Sequence, residues 1–421
     1  MIRFSKSIKG EWLKVLLPML CLPIFLYAYT LDELMEISHK NRVVESATHL
    51  LSSKEMAYES SKSSYLPSVE VGGTYQNVYE ETPALAQNSL RVQASLKYTI
   101  YDGGKKDSTY KGFESSIDSS KKSVEAIKNS ISLDISRLYF GYLSLNADKE
   151  ATSQEIEQLR AELKRLELFY EAGSVTKDEV AKIDSRLKSA EVKLLEIELE
   201  SQKVLHTLEY YTAQKIDSIE SGAVITLKDE SENSLRADIK AMEYETETAM
   251  HEADSKKSLN KPTLYFDNTL SYSDYYFKDE PATNFLVDTQ NIAMVNVSWN
   301  IFDFGSRTKS YESKYYEYLS KKSALEYEKL RADVDYRLAK KSLEIAKLKT
   351  ESAKATLDAA ASTYELIKFK YQNGTIDNVA YLLALSEKYD AKRDYDRALN
   401  DLEIKKAELI YQSGKDIREF L

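Results

Sequence analysis

Residues able to do chemistry are few in this chain and scattered. Its histidines are His39, His49, His206 and His251, and its one cysteine is Cys21. A metal centre or a general base needs such groups at ligand spacing, as when two His lie one helical turn apart next to a Glu. None of the four His stands in that relation to another, so each reads as a surface or packing residue. Gly103-Gly104 lacks the flanking Gly and Lys-Ser/Thr that let a loop cradle phosphate. Glu/Lys pairs at i,i+4 are ordinary support for exposed helix faces. With no catalytic constellation, the sequence points away from an enzyme and implies no cofactor and no metal. The net charge of −10 also argues against a nucleic-acid partner.

The marked residues stand instead at junctions, and they come in pairs. Tyr101-Asp102-Gly103-Gly104 recurs as Phe302-Asp303-Phe304-Gly305, 201 positions on. Gly173 and Gly374 keep the same offset, as do Thr176 and Asp377. Landmarks sharing one period are the mark of an internal duplication. Pro67 and Pro262 each close a helical stretch, because Pro disfavours helix in the residue before it.

The elements that must position these residues are long helices and short strand pairs. Only 12 Gly and 6 Pro interrupt 421 residues, and 30% are charged, a balance that favours long amphipathic helices. Leu90, Val92, Ala94, Leu96, Tyr98 and Ile100 alternate with polar residues, as do Ala293, Val295, Val297, Trp299 and Ile301; strict alternation predicts half-buried strands. Residues 1–29 read as a secretory signal, with an apolar run of about 12 residues, too short to span a bilayer as a helix. Cleavage is expected between Ala28 and Thr30, and Leu20 before Cys21 is a poor lipoprotein site. Removing this segment leaves a net charge of −13 and no cysteine.

Repeat 1 spans 30–215: a helix, strands near 67–79 and 89–101, a long helix 105–170 and a helix 176–211. A connector covers 216–234, with Ala223–Leu227 as a short strand. Repeat 2 spans 235–421: a helix, strands near 262–274 and 290–302, a long helix 306–371 and a helix 377–412. Each long helix measures about 100 Å and each shorter one roughly half that. The economical packing sets one long helix against two stacked short ones in each repeat. The loops Gln76–Asn88 and Tyr275–Gln290 join the strands. The fold class is therefore mainly α with a small β part. Four strands cannot close a barrel alone, and open apolar edges invite association, so oligomerisation is expected. At about 12 residues the strands match the length needed to cross an outer membrane.

On these motifs the chain resembles the TolC family of outer-membrane efflux and secretion channels. The resemblance is carried by Ser64-Tyr65-Leu66-Pro67, Asp102-Gly103-Gly104 and Tyr170-Glu171-Ala172-Gly173, with their counterparts at Lys261-Pro262, Asp303-Phe304-Gly305 and Tyr371-Gln372-Asn373-Gly374. It implies a homotrimer whose protomers each give four strands to a 12-stranded barrel, with a periplasmic helical tunnel below it. It further implies docking to a periplasmic adaptor (membrane fusion) protein and, through it, to an inner-membrane pump or ABC exporter. In such channels acidic and tyrosine residues near the helical turns narrow the entrance; Tyr371 stands at the tyrosine position and Glu179, next to Asp178, at the acidic one. Where relatives often carry two aspartates one turn apart this chain has Ala380 and Leu383, and Ile376 replaces a basic residue. The expected gate is more apolar and less locked by charge. Pro67, Asp102, Gly104, Pro262, Asp303 and Gly305 mark the strand–helix joints, and Tyr98, Tyr101 and Trp299 suit a membrane-interface belt. The rival reading is a periplasmic adaptor or structural coiled-coil protein. Against it stand two helical hairpins without β-rich flanking domains.

Overall fold

A computed structural model describes residues 28–227, 234–279 and 286–421. The expected signal segment up to residue 27 lies outside the described residues, as do small parts of the connector and of the second strand loop. The elements run α1 (Leu31–Ser38), α2 (Arg42–Ser64), β1 (Ser68–Asn77), β2 (Asn88–Tyr101), α3 (Lys105–Glu171), α4 (Lys177–Thr212), α5 (Ala237–Lys257), β3 (Thr263–Tyr276), β4 (Thr289–Ser298), α6 (Ser306–Gln372) and α7 (Asn378–Gln412). Short 3₁₀ turns follow α5 at Ser258–Asn260 and close the chain at Ile417–Phe420.

The single helix expected over 30–64 is broken in two. Thr30 opens α1 with a capping box: its hydroxyl accepts from Glu33 N at 3.3 Å, and Glu33 returns a carboxylate to Thr30 N at 2.9 Å. The break falls at His39–Asn41 because Asn41 offers a second start. Its Oδ1 accepts from both Val43 N and Val44 N at 3.0 Å, and Asn is among the best N-caps.

All four strands form one antiparallel sheet in the order β1-β2-β3-β4. The two hairpins join through β2 and β3, with Leu96 opposite Asn268 and Tyr98 opposite Phe266. One face carries Val69 and Val71, then Val92 and Leu96, then Phe266 and Leu270, then Val295 and Val297; Glu70, Arg91, Lys97 and Asp267 lie on the other. The strand expected to reach 302 stops at Ser298, where β4 meets the first residue of β3, Thr263. Pro262 lies just beyond and has no N–H to extend the ladder. Trp299 and Ile301 are therefore outside the sheet.

Two apolar clusters hold the helices. The first gathers Leu31, Leu34, Met35, Ile135, Tyr139, Phe140, Leu208, Ile225, Ile410 and Phe420 near the chain ends. The second, toward the helical turns, joins Ile156, Leu159, Leu187, Tyr364, Tyr381, Leu385 and Tyr389. The connector contributes to the first cluster without forming the expected strand at Ala223–Leu227. Its backbone is satisfied elsewhere: Ile225 N donates to Glu403 Oε2 at 2.8 Å and Thr226 N to Phe420 O at 2.9 Å.

Packing also departs from one long helix per pair of short ones. The helix α5 lies against both α3 and α6, and α3 takes α7 as well. Small residues on α3 permit this approach: Gly112 faces His251 Cβ, and the Ser119 hydroxyl donates to Ala241 O at 2.9 Å.

Candidate functional site

Two places concentrate the residues that the sequence marks: the helical turns and the strand–helix joints. At the turns, Gly173 and Gly374 take φ of 73° and 70°, a left-handed conformation that favours glycine. Each closes its helix alike. Ser174 N reaches Phe169 O at 2.8 Å and Thr375 N reaches Lys370 O at 3.0 Å, the six-to-one bond of a Schellman ending. The next helix starts at Thr176, whose hydroxyl accepts from Glu179 N at 3.4 Å, or at Asp377, whose Oδ1 accepts from Ala380 N at 3.0 Å. Asp178 pairs with Lys182 at 2.6 Å on the exposed side, and Glu179 is half-buried. Ile376 is half-buried and Leu383 exposed, so no charge stands at those two positions.

Charge enters from α3 instead. The Tyr371 hydroxyl donates to Glu162 Oε1, and Arg165 Nη2 meets the same oxygen at 3.0 Å. The Arg165 guanidinium also lies 4.5 Å from the Tyr371 ring centre, within cation–π range. Tyr381 of α7 stacks on Tyr371 at 4.7 Å and 14°. One tyrosine of α6 is thus tied to α3 by its hydroxyl and to α7 by its ring. Burial, and then the hydrogen bond to Glu162, push the Tyr371 phenol well above its ordinary value, so it remains a donor at any physiological pH. Within the protomer the charged groups nearest the turns are thus Arg165 and Glu162, gathered around Tyr371. Sequence reading does not find Glu162, since it borders the Leu159, Leu163, Leu166 stripe and looks like a solvated helix residue. The available signal was an acid recurring every seven residues along that stripe.

The joints are built to one plan. Asp102 Oδ1 accepts from Gly104 N at 3.1 Å and its Oδ2 from Lys106 N at 2.7 Å; Asp303 accepts from Gly305 N at 3.1 Å and Arg307 N at 3.0 Å. Two successive residues take left-handed backbone in each: Gly103 at 78° and Gly104 at 91°, Phe304 at 57° and Gly305 at 82°. The copies turn at slightly different angles, as Gly103 against Phe304 leads one to expect. Both joints converge on the 3₁₀ turn ahead of Lys261 and Pro262. A Cβ on Gly103 would sit 2.5 Å from Ser258 O. Arg307 Nη1 donates to Leu259 O at 2.8 Å and the Trp299 indole to Asn260 O at 3.1 Å. Pro67 occupies the corresponding link from α2 into β1. Tyr98 and Tyr101 are partly exposed near the end of β2, and Trp299 is more open still.

The chain thus combines two helical hairpins, a four-stranded sheet with no further strand at either edge among the described residues, and a tyrosine cluster at its helical end. The sequence matches the profile of the family described as Outer membrane efflux protein over residues 35–214 and 231–414, and the chain belongs to that family. It is an outer-membrane protein with a periplasmic helical tunnel, a transport channel of the efflux type and not an enzyme. No curated protein matches it. Among solved structures it is similar to the outer membrane protein VceC of Vibrio cholerae, at 17% identity and a TM-score of 0.80, over 92% of this chain and 96% of that one. It is similar to the CmeC outer membrane channel of Campylobacter jejuni at 17% and 0.79, over 91% and 85%. The open state of the MtrE outer membrane channel of Neisseria gonorrhoeae gives 14% and 0.79, over 92% and 89%. At these identities the likeness concerns the fold.

Proposed function

We propose that the chain is the passive exit duct of a tripartite efflux pump or type I secretion system. It assembles as a homotrimer, docks its helical turns onto a periplasmic adaptor, and takes its energy from an inner-membrane pump or ABC exporter. The observation that carries this reading is the sheet: four strands, apolar on one face, with no strand among the described residues paired to the outer edge of β1 or β4. A spanning sheet must satisfy every backbone group by closing, and β4 of one copy meeting β1 of the next does so. The exposed apolar residues of α6, among them Leu330, Leu338 and Leu348, suit the same neighbour.

The duct is gated at Tyr371. Breaking its tie to Glu162 releases the end of the second hairpin from α3 and widens the entrance; Asp178, Glu179 and Ile376 line the turns beside it. Assembly is tested by extracting the protein from outer-membrane fractions in SDS without boiling. Migration as a trimer that collapses on heating is expected, and a monomer released by osmotic shock would overturn the reading. Gating is tested in planar bilayers, where Tyr371→Phe and Glu162→Gln should each raise single-channel conductance severalfold.

A further inference from the structure

The two strand–helix joints differ in what surrounds their cations. Lys106 and Arg307 are counterparts, 201 positions apart. Arg307 is engaged: its Nε donates to Asp303 Oδ2 at 2.7 Å and its Nη1 to Leu259 O at 2.8 Å. The Lys106 ammonium has no carboxylate or carbonyl partner among the described residues. It lies 5.6 Å from the ring centres of both Tyr65 and Tyr110, within cation–π range. Those two rings meet edge to face at 5.7 Å and 88°. The ammonium is thus held in place by rings while its hydrogen-bond donors stay open. The nearby acids are engaged elsewhere. Asp102 accepts from Gly104 N and Lys106 N, as above, and Asp107 pairs with Lys111 at 2.9 Å.

Lys106 stands in an open cleft of about 300 Å³ that runs from the end of β2 across the joint to the first turns of α3, with Tyr65, Tyr98, Tyr101 and Tyr110 in its walls. Tyr98 pairs with Phe266 across the sheet, so this end of the cleft lies on the apolar face. Farther along that face Val69 stands opposite Leu96, and Val69 is 69% exposed. An apolar track therefore ends at a cation flanked by phenols. Tyrosine suits such a border, since its ring is apolar and its hydroxyl wet. The ligand that matches this order is an amphiphile, with hydrocarbon along the strands and a negative headgroup at Lys106. The second joint lacks the combination: Asn260 precedes Pro262 where Tyr65 precedes Pro67, and Arg307 is already bonded.

We propose that the first joint binds the phosphate headgroup of an anionic phospholipid of the periplasmic leaflet, with Lys106 meeting the phosphate and Tyr65 and Tyr110 positioning the lysine. This rests on the reading above that the apolar sheet face meets lipid. The chemistry recognised is a phosphate. A free phosphate ion would satisfy Lys106 but leave the apolar track empty, and the ammonium of a choline headgroup would be repelled by Lys106. One lipid binds per protomer and fixes the depth at which the strands give way to the helices.

The test is binding to the purified, delipidated full-length protein in detergent, read by native mass spectrometry and by melting temperature. The probes are phosphatidylglycerol, phosphatidylcholine and inorganic phosphate. One phosphatidylglycerol per chain should stay bound, with phosphatidylcholine held about tenfold more weakly and inorganic phosphate leaving the melting temperature unchanged. Lys106→Gln should weaken phosphatidylglycerol by about tenfold, Lys106→Arg should keep it, and Lys105→Gln, on the neighbouring exposed lysine, should weaken it far less. Equal losses from the two glutamine variants would assign the binding to general surface charge and overturn the site. Equal retention of phosphatidylcholine would overturn the recognition of negative charge. Phosphate that raises the melting temperature of wild type but not of Lys106→Gln would make the ligand a free ion and overturn the lipid. Should Lys106→Gln fail to fold, Tyr110→Leu keeps the charge but frees its position, and wild-type affinity in that variant would overturn the site. A protein that extracts as an SDS-resistant trimer yet shows no lipid preference loses this site alone. A monomer released by osmotic shock removes the barrel reading with it.

Discussion

The two long helices are the same length, 67 residues each, and occupy equivalent places in the two repeats. Their surroundings differ. Twenty residues of α3 are buried against five of α6. Four helices pack on α3, namely α2, α4, α5 and α7, with α1 touching it as well, whereas α6 has α5 and α7. Duplication therefore produced two copies of one scaffold with different jobs. The first copy became the protomer's spine and carries the buried carboxylate of Glu162. The second kept an apolar face toward the outside, where Tyr327, Leu330, Leu338 and Leu348 are each 60% exposed or more.

The joints show the same divergence in small. At the first, Gly103 is hemmed in by the backbone of Ser258 and by Lys261 Cβ; at the second, Phe304 is 90% exposed, its ring tilted by 59° against that of Phe302 at 4.7 Å. The same backbone turn is obligatory in one and strained in the other. Gly103→Ala must pay for left-handed backbone, about 1–2 kcal/mol, and for a clash with main chain, about 1–3 kcal/mol. Phe304→Gly relieves the strain and should gain about 1 kcal/mol. Opposite shifts in the heat resistance of the detergent-solubilised protein are expected. The Gly103→Ala loss should be the larger; shifts equal in size and opposite in sign would mean that the turn alone, and not its neighbours, governs both sites.

An aspartate on the outer face of α6 probes the larger asymmetry. If α6 faces its neighbour in the proposed trimer, Leu338→Asp should abolish SDS-resistant assembly while leaving the helical content of the monomer unchanged by circular dichroism. A trimer of wild-type heat resistance would remove α6 from the subunit contact.

Much of this was legible in the chain. The duplication, the strand alternation and the turn residues follow from short-range rules, so Gly173, Gly374, Asp102 and Asp303 can be found by spacing alone. Three features could not. Asn41 splits the first helix, because a mid-helix Asn looks the same whether it caps or faces solvent. Ala223–Leu227 is mostly apolar, but its partners are Glu403 and Phe420, some 180 and 190 residues on, and nothing local announces them. Glu162 reads as surface because burial of a carboxylate depends on Arg165 and Tyr371 arriving from two directions. Local periodicity reports which face is apolar, and it misses polar groups placed within that face.

The tip caps offer a finer comparison. Asp377 accepts from Ala380 N at 3.0 Å, and Thr176 from Glu179 N at 3.4 Å. A carboxylate also interacts favourably with the helix N-terminus, which a hydroxyl does not. Both alanine variants should lose stability, by about 1 kcal/mol for Asp377→Ala and less for Thr176→Ala. Protease nicking at the turns would read the difference, with the second hairpin of Asp377→Ala cut first.

The smallest expected effect separates the joints by pH. The Asp303 carboxyl is held below the ordinary range, chiefly by its hydrogen bond from the Arg307 side chain at 2.7 Å, with burial acting the other way. A depressed carboxyl contributes stability that is fully present above the ordinary Asp value, about 3.9. That contribution is lost as pH falls through the lower folded value. The second joint should therefore keep its clamp through any mildly acidic periplasm and lose it only in stronger acid. In Asp303→Asn this part of the pH dependence disappears: the variant should be less heat-resistant than wild type at pH 7, with the gap closing below about pH 4. A gap that persists unchanged into that range would assign the role of Asp303 to its backbone hydrogen bonds alone, which an amide oxygen keeps only in part.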